Sequence, residues 1–275
     1  MHLTFANSAF VAAPERVLLR GGQWSWLALR VRYGVLRHPR FGVILIDTGI
    51  GPAALTGPGR PLMMRAYAAA LRYQLQPDHA PAVVLAALGV QPADVTTILL
   101  THFHADHVAR LAEFPRARII THAPTLAAIR AAPLRRNLAH GIFPSLLPAD
   151  LETRLTCFAD LPRRALPFGG DGADVLGDGS CLAVDLPGHA TGHVGLAFDH
   201  LPRPLLYGCD AQWLLAALAP GRAPRLPSRL ILDNPAAAAI STRQLRAWQD
   251  AGGEVVLCHD PARTLHDWPD SAAQP

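Results

Sequence analysis

The sequence predicts a layered α/β fold, and three observations carry that reading. Short apolar runs that read as buried strands recur in both halves of the chain. Helical patterns stand between them, an interleaving that suits packed sheets covered by helices. A group of metal-capable side chains, His102, His104, Asp106 and His107, follows directly on one of the runs. In order, residues 24–33 partly alternate and 41–47 read as a buried strand ending in Asp47-Thr48-Gly49. The pattern turns helical over 62–75 and 82–88, with Pro77 and Pro81 between them. The apolar run 97–100 reads as the strand that delivers the histidines, followed by a short helix at 108–113, a strand at 117–121 and a helix at 125–132. Strand signals return at 181–186, 194–198, 204–207 and 254–258, with a helix predicted over 235–251.

Residues 133–180 resist assignment, because five prolines and a Gly-Gly-Asp-Gly turn at 169–172 interrupt every pattern. So long a segment reads as a lid or insert, or as packing over the domain edge. In the first case Phe143, Leu146 and Leu147 would line a pocket, and Trp213 would add a further apolar wall.

Composition narrows the class. The chain has 275 residues and is 50% hydrophobic, which suits a single domain over 1–275 with a core at about 20–265. Net charge is +4, every basic residue apart from histidine is arginine, and the arginines are scattered. No basic run or aromatic-interleaved stripe points to nucleic acid. Cys157, Cys181, Cys209 and Cys258 form no CxxC pair, which suits a reduced, cytoplasmic protein. The N-terminal residues lack the pattern of a signal peptide. The most apolar windows, at 82–90 and 213–219, are too short to span a bilayer, so no membrane partner is expected.

The cluster carries the chemistry. Three imidazoles and a carboxylate stand within six residues at the mouth of a strand, where each would otherwise need a polar partner. In an extended segment residues 102 and 104 point the same way and can share one metal. Asp106 and His107 begin the next turn and can face a second. Imidazole and carboxylate suit zinc and its neighbours in the first transition row. His189 in Pro-Gly-His, Asp210 after Tyr-Gly-Cys, and His259 after Glu-Val-Val-Leu-Cys each stand where a strand should end, and they supply the remaining ligands.

With these residues in view the chain resembles the metallo-β-lactamase superfamily. His102, His104, Asp106 and His107 meet its HxHxDH signature, Pro187-Gly188-His189 its Pro-Gly-His element, Gly208-Cys209-Asp210 its Gly-x-Asp element, and Asp47 its early structural aspartate. The resemblance implies an αββα sandwich with metals at one edge between the sheets. Within the superfamily the chain looks most like the N-acyl homoserine lactonase branch, through its helical stretch before the signature and its His259-Asp260 pair. That likeness implies two divalent metals, zinc by preference. His102, His104 and His189 would hold one, Asp106, His107 and His259 the other, and Asp210 would bridge. It implies hydrolysis of a lactone or carboxylic ester by a metal-bridging hydroxide, with Asp106 as proton carrier, a small-molecule substrate and a homodimer. One position departs: where many lactonases of the branch carry a tyrosine, this chain has Trp213, whose indole can donate a hydrogen bond but is no phenol. Two other readings stand beside this one, a phosphoester or thioester hydrolase on the same metals and a non-catalytic metal-binding or ligand-sensing domain.

Overall fold

A computed structural model describes residues 1–56, 60, 62–224, 226 and 228–269. Positions 270–275 of the expected domain lie outside them.

Seven strands form a first sheet: β1 (His2–Pro14), β2 (Trp26–His38), β3 (Gly42–Ile46), β4 (Gln74–Leu75), β5 (Thr97–Leu99), β6 (Arg118–Thr121) and β7 (Leu155–Cys157). Their order is β4-β1-β2-β3-β5-β6-β7. Six more, β8 (Arg163–Ala165), β9 (Asp171–Asp174), β10 (Leu182–Asp185), β11 (Val194–Phe198), β12 (Leu205–Cys209) and β13 (Glu254–Leu257), form a second sheet in the order β13-β12-β11-β10-β9-β8. β3, β5, β6 and β7 run parallel to one another, as do β12 and β13.

Alternation within strands builds the layers. Ile44 and Ile46 of β3 pack with Leu205 and Tyr207 of β12 in an apolar layer between the sheets. Leu45, one residue out of phase, faces a second cluster with Met64, Val84, Leu85 and Leu126 from the helices over the first sheet. Leu206 likewise turns away from the middle, toward Leu245 and Trp248 of helix Pro235–Asp250 on the second sheet. A period of two thus sends each strand's side chains to two separate cores, and the result is the αββα sandwich. The helices at Leu62–Leu71, Pro81–Ala87 and Ala123–Ala131 fall on the helical patterns of the sequence.

Residues 133–180 contribute a short helix, Leu134–Ala139, and then strands to both sheets: β7 at the edge of the first, β8 and β9 at the edge of the second. A strap from further along the chain closes over β1. Phe5 N–H donates to His266 O at 2.7 Å, and Trp268 N–H donates to Phe5 O at 2.7 Å. No helix among the described residues is long and apolar enough to cross a membrane.

Candidate metal centre

The carboxyl ends of β3, β5, β12 and β13 open on one edge of the sandwich, where loops are free to present side chains between the sheets. Asp47 ends β3 with φ 58°, a left-handed conformation that costs a non-glycine residue free energy and concentrates at functional sites. Its Oδ1 accepts the Thr101 N–H at 2.8 Å, and its Oδ2 takes the Nδ1–H of His107 at 2.8 Å. That bond orients the His107 ring and turns Nε2 toward the converging set. Thr101 Oγ1 also bonds Asp47 and lies 3.0 Å from His102 Nδ1.

The second sheet answers in the same manner. Cys209 ends β12 with φ 47°, a second left-handed residue, and turns Asp210 inward. The Asp210 N–H donates to His193 Nε2 at 3.2 Å, while His193 Nδ1–H donates to Leu186 O at 2.8 Å. β13 delivers His259, whose Nδ1–H donates to the Arg30 carbonyl at 2.6 Å. His189 follows Gly188, where φ is +120° and a β-carbon would stand 2.1 Å from Ala238 N. Only glycine lets this turn pass so close to the start of helix Pro235–Asp250.

All these groups converge on Asp210. Its Oδ2 lies 3.9 Å from His102 Nε2 and 3.3 Å from His189 Nε2 on one side. On the other it lies 3.6 Å from His107 Nε2 and 3.1 Å from His259 Nε2. His104 Nδ1 is 2.9 Å from His189 Nε2. The Asp106 oxygens stand 3.7 Å from His107 Nε2 and 3.5 Å from His259 Nε2. The structure therefore brings together all seven residues that the sequence singles out. Among the described residues, three groups of ligand atoms have all their members within 4.8 Å of one another: His102, His104, His189 and Asp210; His107, Asp210, Cys258 and His259; and His102, His107 and Cys209, with Asp106 outside all three. Cys258 and Cys209 are the members that the sequence did not announce, and Cys258 Sγ donates to Arg32 O at 3.4 Å.

Electrostatics separates the first two groups. Burial pushes the pKa of His102, His104 and His189 below the usual histidine range, and neighbouring imidazoles push His102 further down. Burial works the same way on His107 and His259, but Asp210 together with Asp47 and Asp106 around His107, and Asp210 together with Cys258 around His259, outweigh it and raise both well above that range. Burial would raise Asp210, yet His259 and His107 hold it well below the usual carboxylate range. Burial holds His193 down at about 4, so it stays neutral and can accept the Asp210 N–H.

This cage fits divalent metal ions. Nε2 of His102 and of His107 are buried without a hydrogen-bond partner, and both belong to the converging set. Imidazoles gathered round a shared carboxylate are donors of the kind that first-row divalent ions take. The supporting residues Thr101, His193 and the Arg30 carbonyl were not singled out from sequence. His193 had a visible signal, four residues past His189 in the same Gly-rich turn. A backbone carbonyl has none.

The expected pocket residues are distributed unequally. Trp213 is half-buried with its ring 6.4 Å from that of His189. Phe143 is buried and meets Tyr67 edge-on at 5.1 Å. Leu146 lies in the helix-side core, and Leu147 packs against it. A cavity of about 260 Å³ opens behind the histidine loop, lined by Phe103, Ile129, Arg136, Ala190 and the ion-paired His140 and Asp233.

Comparison with known proteins adds three findings. The family model described as Metallo-beta-lactamase superfamily matches residues 31–212. A probable metallo-hydrolase of Mycobacterium tuberculosis is 33% identical over 178 residues, covering 62% of this chain and 53% of the relative. The N-acyl homoserine lactonase AttM of Azorhizobium caulinodans is 29% identical over 184 residues, 64% of this chain and 62% of the relative. The matches thus span little more than half the length of these curated relatives. Among solved structures, an N-acyl homoserine lactone hydrolase with N-hexanoyl-L-homoserine at its metal centre aligns with a TM-score of 0.67 and 17% identity over 94% of both chains. The dizinc quorum-quenching lactonase AidC aligns with a TM-score of 0.64 and 16% identity, over 99% of this chain and 95% of that one. At such identities the structural likeness speaks for the fold.

Proposed function

Since the chain belongs to the metallo-beta-lactamase superfamily, we propose that it is a dinuclear metal-dependent hydrolase of lactones or carboxylic esters, with zinc as the metal. The observation that carries this reading is the position of Asp210, whose single oxygen Oδ2 stands within 4 Å of imidazole nitrogens from both groups that share it. A carboxylate shared in this way is what two adjacent ions require. The lactonase relatives, at 29% identity for AttM, support the substrate class.

In this reading His102, His104 and His189 would hold one ion and Asp106, His107 and His259 the other, with Asp210 shared between the two sets. When bound, such ions supply Lewis acidity, lowering the pKa of coordinated water and polarising a carbonyl. The chain does the rest. Asp47 and the Arg30 carbonyl take the Nδ1 protons of His107 and His259, so that both rings present Nε2 inward. His193 holds the Asp210 backbone through its N–H and so sets where the bridging carboxylate stands. Asp106 takes up on a carboxyl oxygen the proton that the attacking water gives up and passes it to the leaving alkoxide. Trp213 presents an indole beside His189, which favours an uncharged, partly apolar substrate over a phosphate dianion whose oxygens would seek arginine forks. Within the segment 133–180, the Gly141 carbonyl accepts the Ala105 N–H and so ties that segment to the ligand loop.

Metal analysis and kinetics on one preparation test the reading. The expected result is close to two zinc ions per chain and loss of activity on chelation, restored by zinc. Lactones and p-nitrophenyl esters should show a higher kcat/KM than bis-p-nitrophenyl phosphate. A preference for the phosphodiester would turn the assignment toward phosphoester hydrolysis. Bound metal with no turnover of any of these substrates would leave a metal-binding or sensing domain.

A further inference from the structure

Two phenols stand over the histidine loop without a part in the scheme above. Tyr67 lies on helix Leu62–Leu71 and Tyr73 just beyond it, and their hydroxyls are 2.8 Å apart in a hydrogen bond. Both side chains are half-buried. The pair is close to the centre. The Ala105 N–H donates to the Gly141 carbonyl at 3.1 Å, which ties residue 141 to the ligand loop. A β-carbon at Gly141 would lie 3.7 Å from Tyr67 Cε2 and 4.0 Å from His104 Cδ2. Cε2 adjoins the carbon that bears the hydroxyl, so residue 141 stands between that edge of the Tyr67 ring and the His104 ring. Burial, and then the carboxylates of Asp106 and Asp210, keep both phenols protonated well above their usual range. Phe143, edge-on to Tyr67, backs the ring from the core side.

Proton counting gives this arrangement a direction. Two hydroxyls carry two protons, and the bond between them uses one. If Tyr73 donates to Tyr67, the remaining proton is on the Tyr67 hydroxyl. A phenol held neutral beside two carboxylates is a poor base and a good donor. We propose that Tyr67 donates its hydroxyl hydrogen to the substrate oxygen on which negative charge develops during attack, and that Tyr73 orients Tyr67 through the shared hydrogen bond. No proton leaves Tyr67, and no bond to it forms or breaks. A preorganised donor aimed at a developing charge acts more on the transition state than on the bound substrate. The inference rests on the hydrolase reading and names a donor within it.

The test compares wild type with Tyr67→Phe and Tyr73→Phe, all loaded with zinc, on p-nitrophenyl acetate and a γ-lactone. Tyr67→Phe keeps the ring against Phe143, so metal content and thermal midpoint should match wild type. Its kcat should fall by about 10²-fold with little change in KM, the size expected for loss of one such donor. Tyr73→Phe should lose less, about tenfold, because Tyr67 keeps its proton and loses only its orientation. A second readout is calorimetric binding of a methylphosphonate monoester, an anionic tetrahedral mimic, which should weaken at least about tenfold in Tyr67→Phe, as a charge-assisted hydrogen bond requires. An active wild type with Tyr67→Phe within twofold of it in kcat and in phosphonate binding overturns the assignment of Tyr67 alone. A zinc-loaded wild type that hydrolyses neither substrate overturns the hydrolase reading, and this inference with it.

Discussion

Asp210 and Asp106 are both buried carboxylates within 4 Å of His107 and His259, yet their removal should have different consequences. Asp210 also faces His102 and His189. Asp210→Ala should therefore empty both metal positions together, read as loss of both ions from the purified protein. Asp106 meets only the second group, so Asp106→Asn should keep the first ion. It should lower kcat by about 10²-fold or more, through loss of the proton carrier and one anionic ligand. Departure of a single ion from Asp210→Ala, or near-normal turnover in a fully loaded Asp106→Asn, would contradict the roles assigned. At this scale the site was open to reading from sequence, because three histidines and an aspartate within six residues at a strand end would each otherwise need a polar partner. The supports were not. Arg30 acts through its carbonyl and Thr101 through a hydroxyl of ordinary type, and only the fold brings them to the ligands.

Among elements, legibility followed burial. β3 and β12 are short and flanked by turn signals, so their apolar runs stood out. β1 is the longest unassigned element, and its burial explains the silence: residues 3–9 are buried without interruption. A strand covered on both faces loses the alternation that marks a strand with one wet face. Ala6, Asn7 and Ser8 further dilute its apolar signal. β7, β8 and β9 have three or four residues each at sheet edges, too few for any period to show. The long helix Pro235–Asp250 falls on the one predicted over 235–251, with a proline at its start and Asn234 as its cap, whose side chain accepts from the Ala236 and Ala237 N–H groups. Its packing on Gly188 gives a prediction of its own. In Gly188→Ala the new methyl would meet backbone rather than a movable side chain, at a positive φ. The helix and the His189 turn must separate. The expected outcome is a stability loss of about 2 kcal/mol or more in urea unfolding, with weakened zinc retention. A variant as stable and as well metallated as wild type would show that the turn has slack.

Taken whole, the molecule is held at the site's edge by a buried cation that sequence alone could not reveal. Arg32 on β2 is 1% exposed and pairs with Asp267 at 2.9 Å, while its guanidinium also donates to the carbonyls of Leu257, Asp260 and Ala262. It thereby shapes the loop that carries His259. One scattered arginine among 25 basic residues gave no hint of this, since its partners are mostly backbone oxygens. Burial would raise the Asp267 carboxyl, but the hydrogen bond and charge of Arg32 hold it below the usual range. The stabilisation is therefore complete above the ordinary carboxylate pKa and fades as pH falls through the lower, folded value. Arg32→Met leaves Asp267 buried without its partner and should cost about 3–5 kcal/mol at neutral pH. The acid side of the stability profile should flatten, because that carboxylate no longer favours the folded state. Urea unfolding of both proteins at several pH values checks this, and an unchanged profile would mean that Arg32 is not what stabilises the strap.

The strap over β1 also has a consequence in time. His102 to His107 leave the ribosome long before His259, and the loop behind His259 is shaped by Arg32 from β2 and fastened by residues 266–268 on Phe5. Contacts between such distant stretches of chain form late, because closing a long loop comes before any gain from its contacts. A growing chain can gather one side of the cage early, but the side that needs His259 cannot close until the strap has settled. If the chain binds metal as proposed, fold completion should precede full metallation, and the metal content of a preparation should then record the conditions of its folding as well as the preference of its ligands.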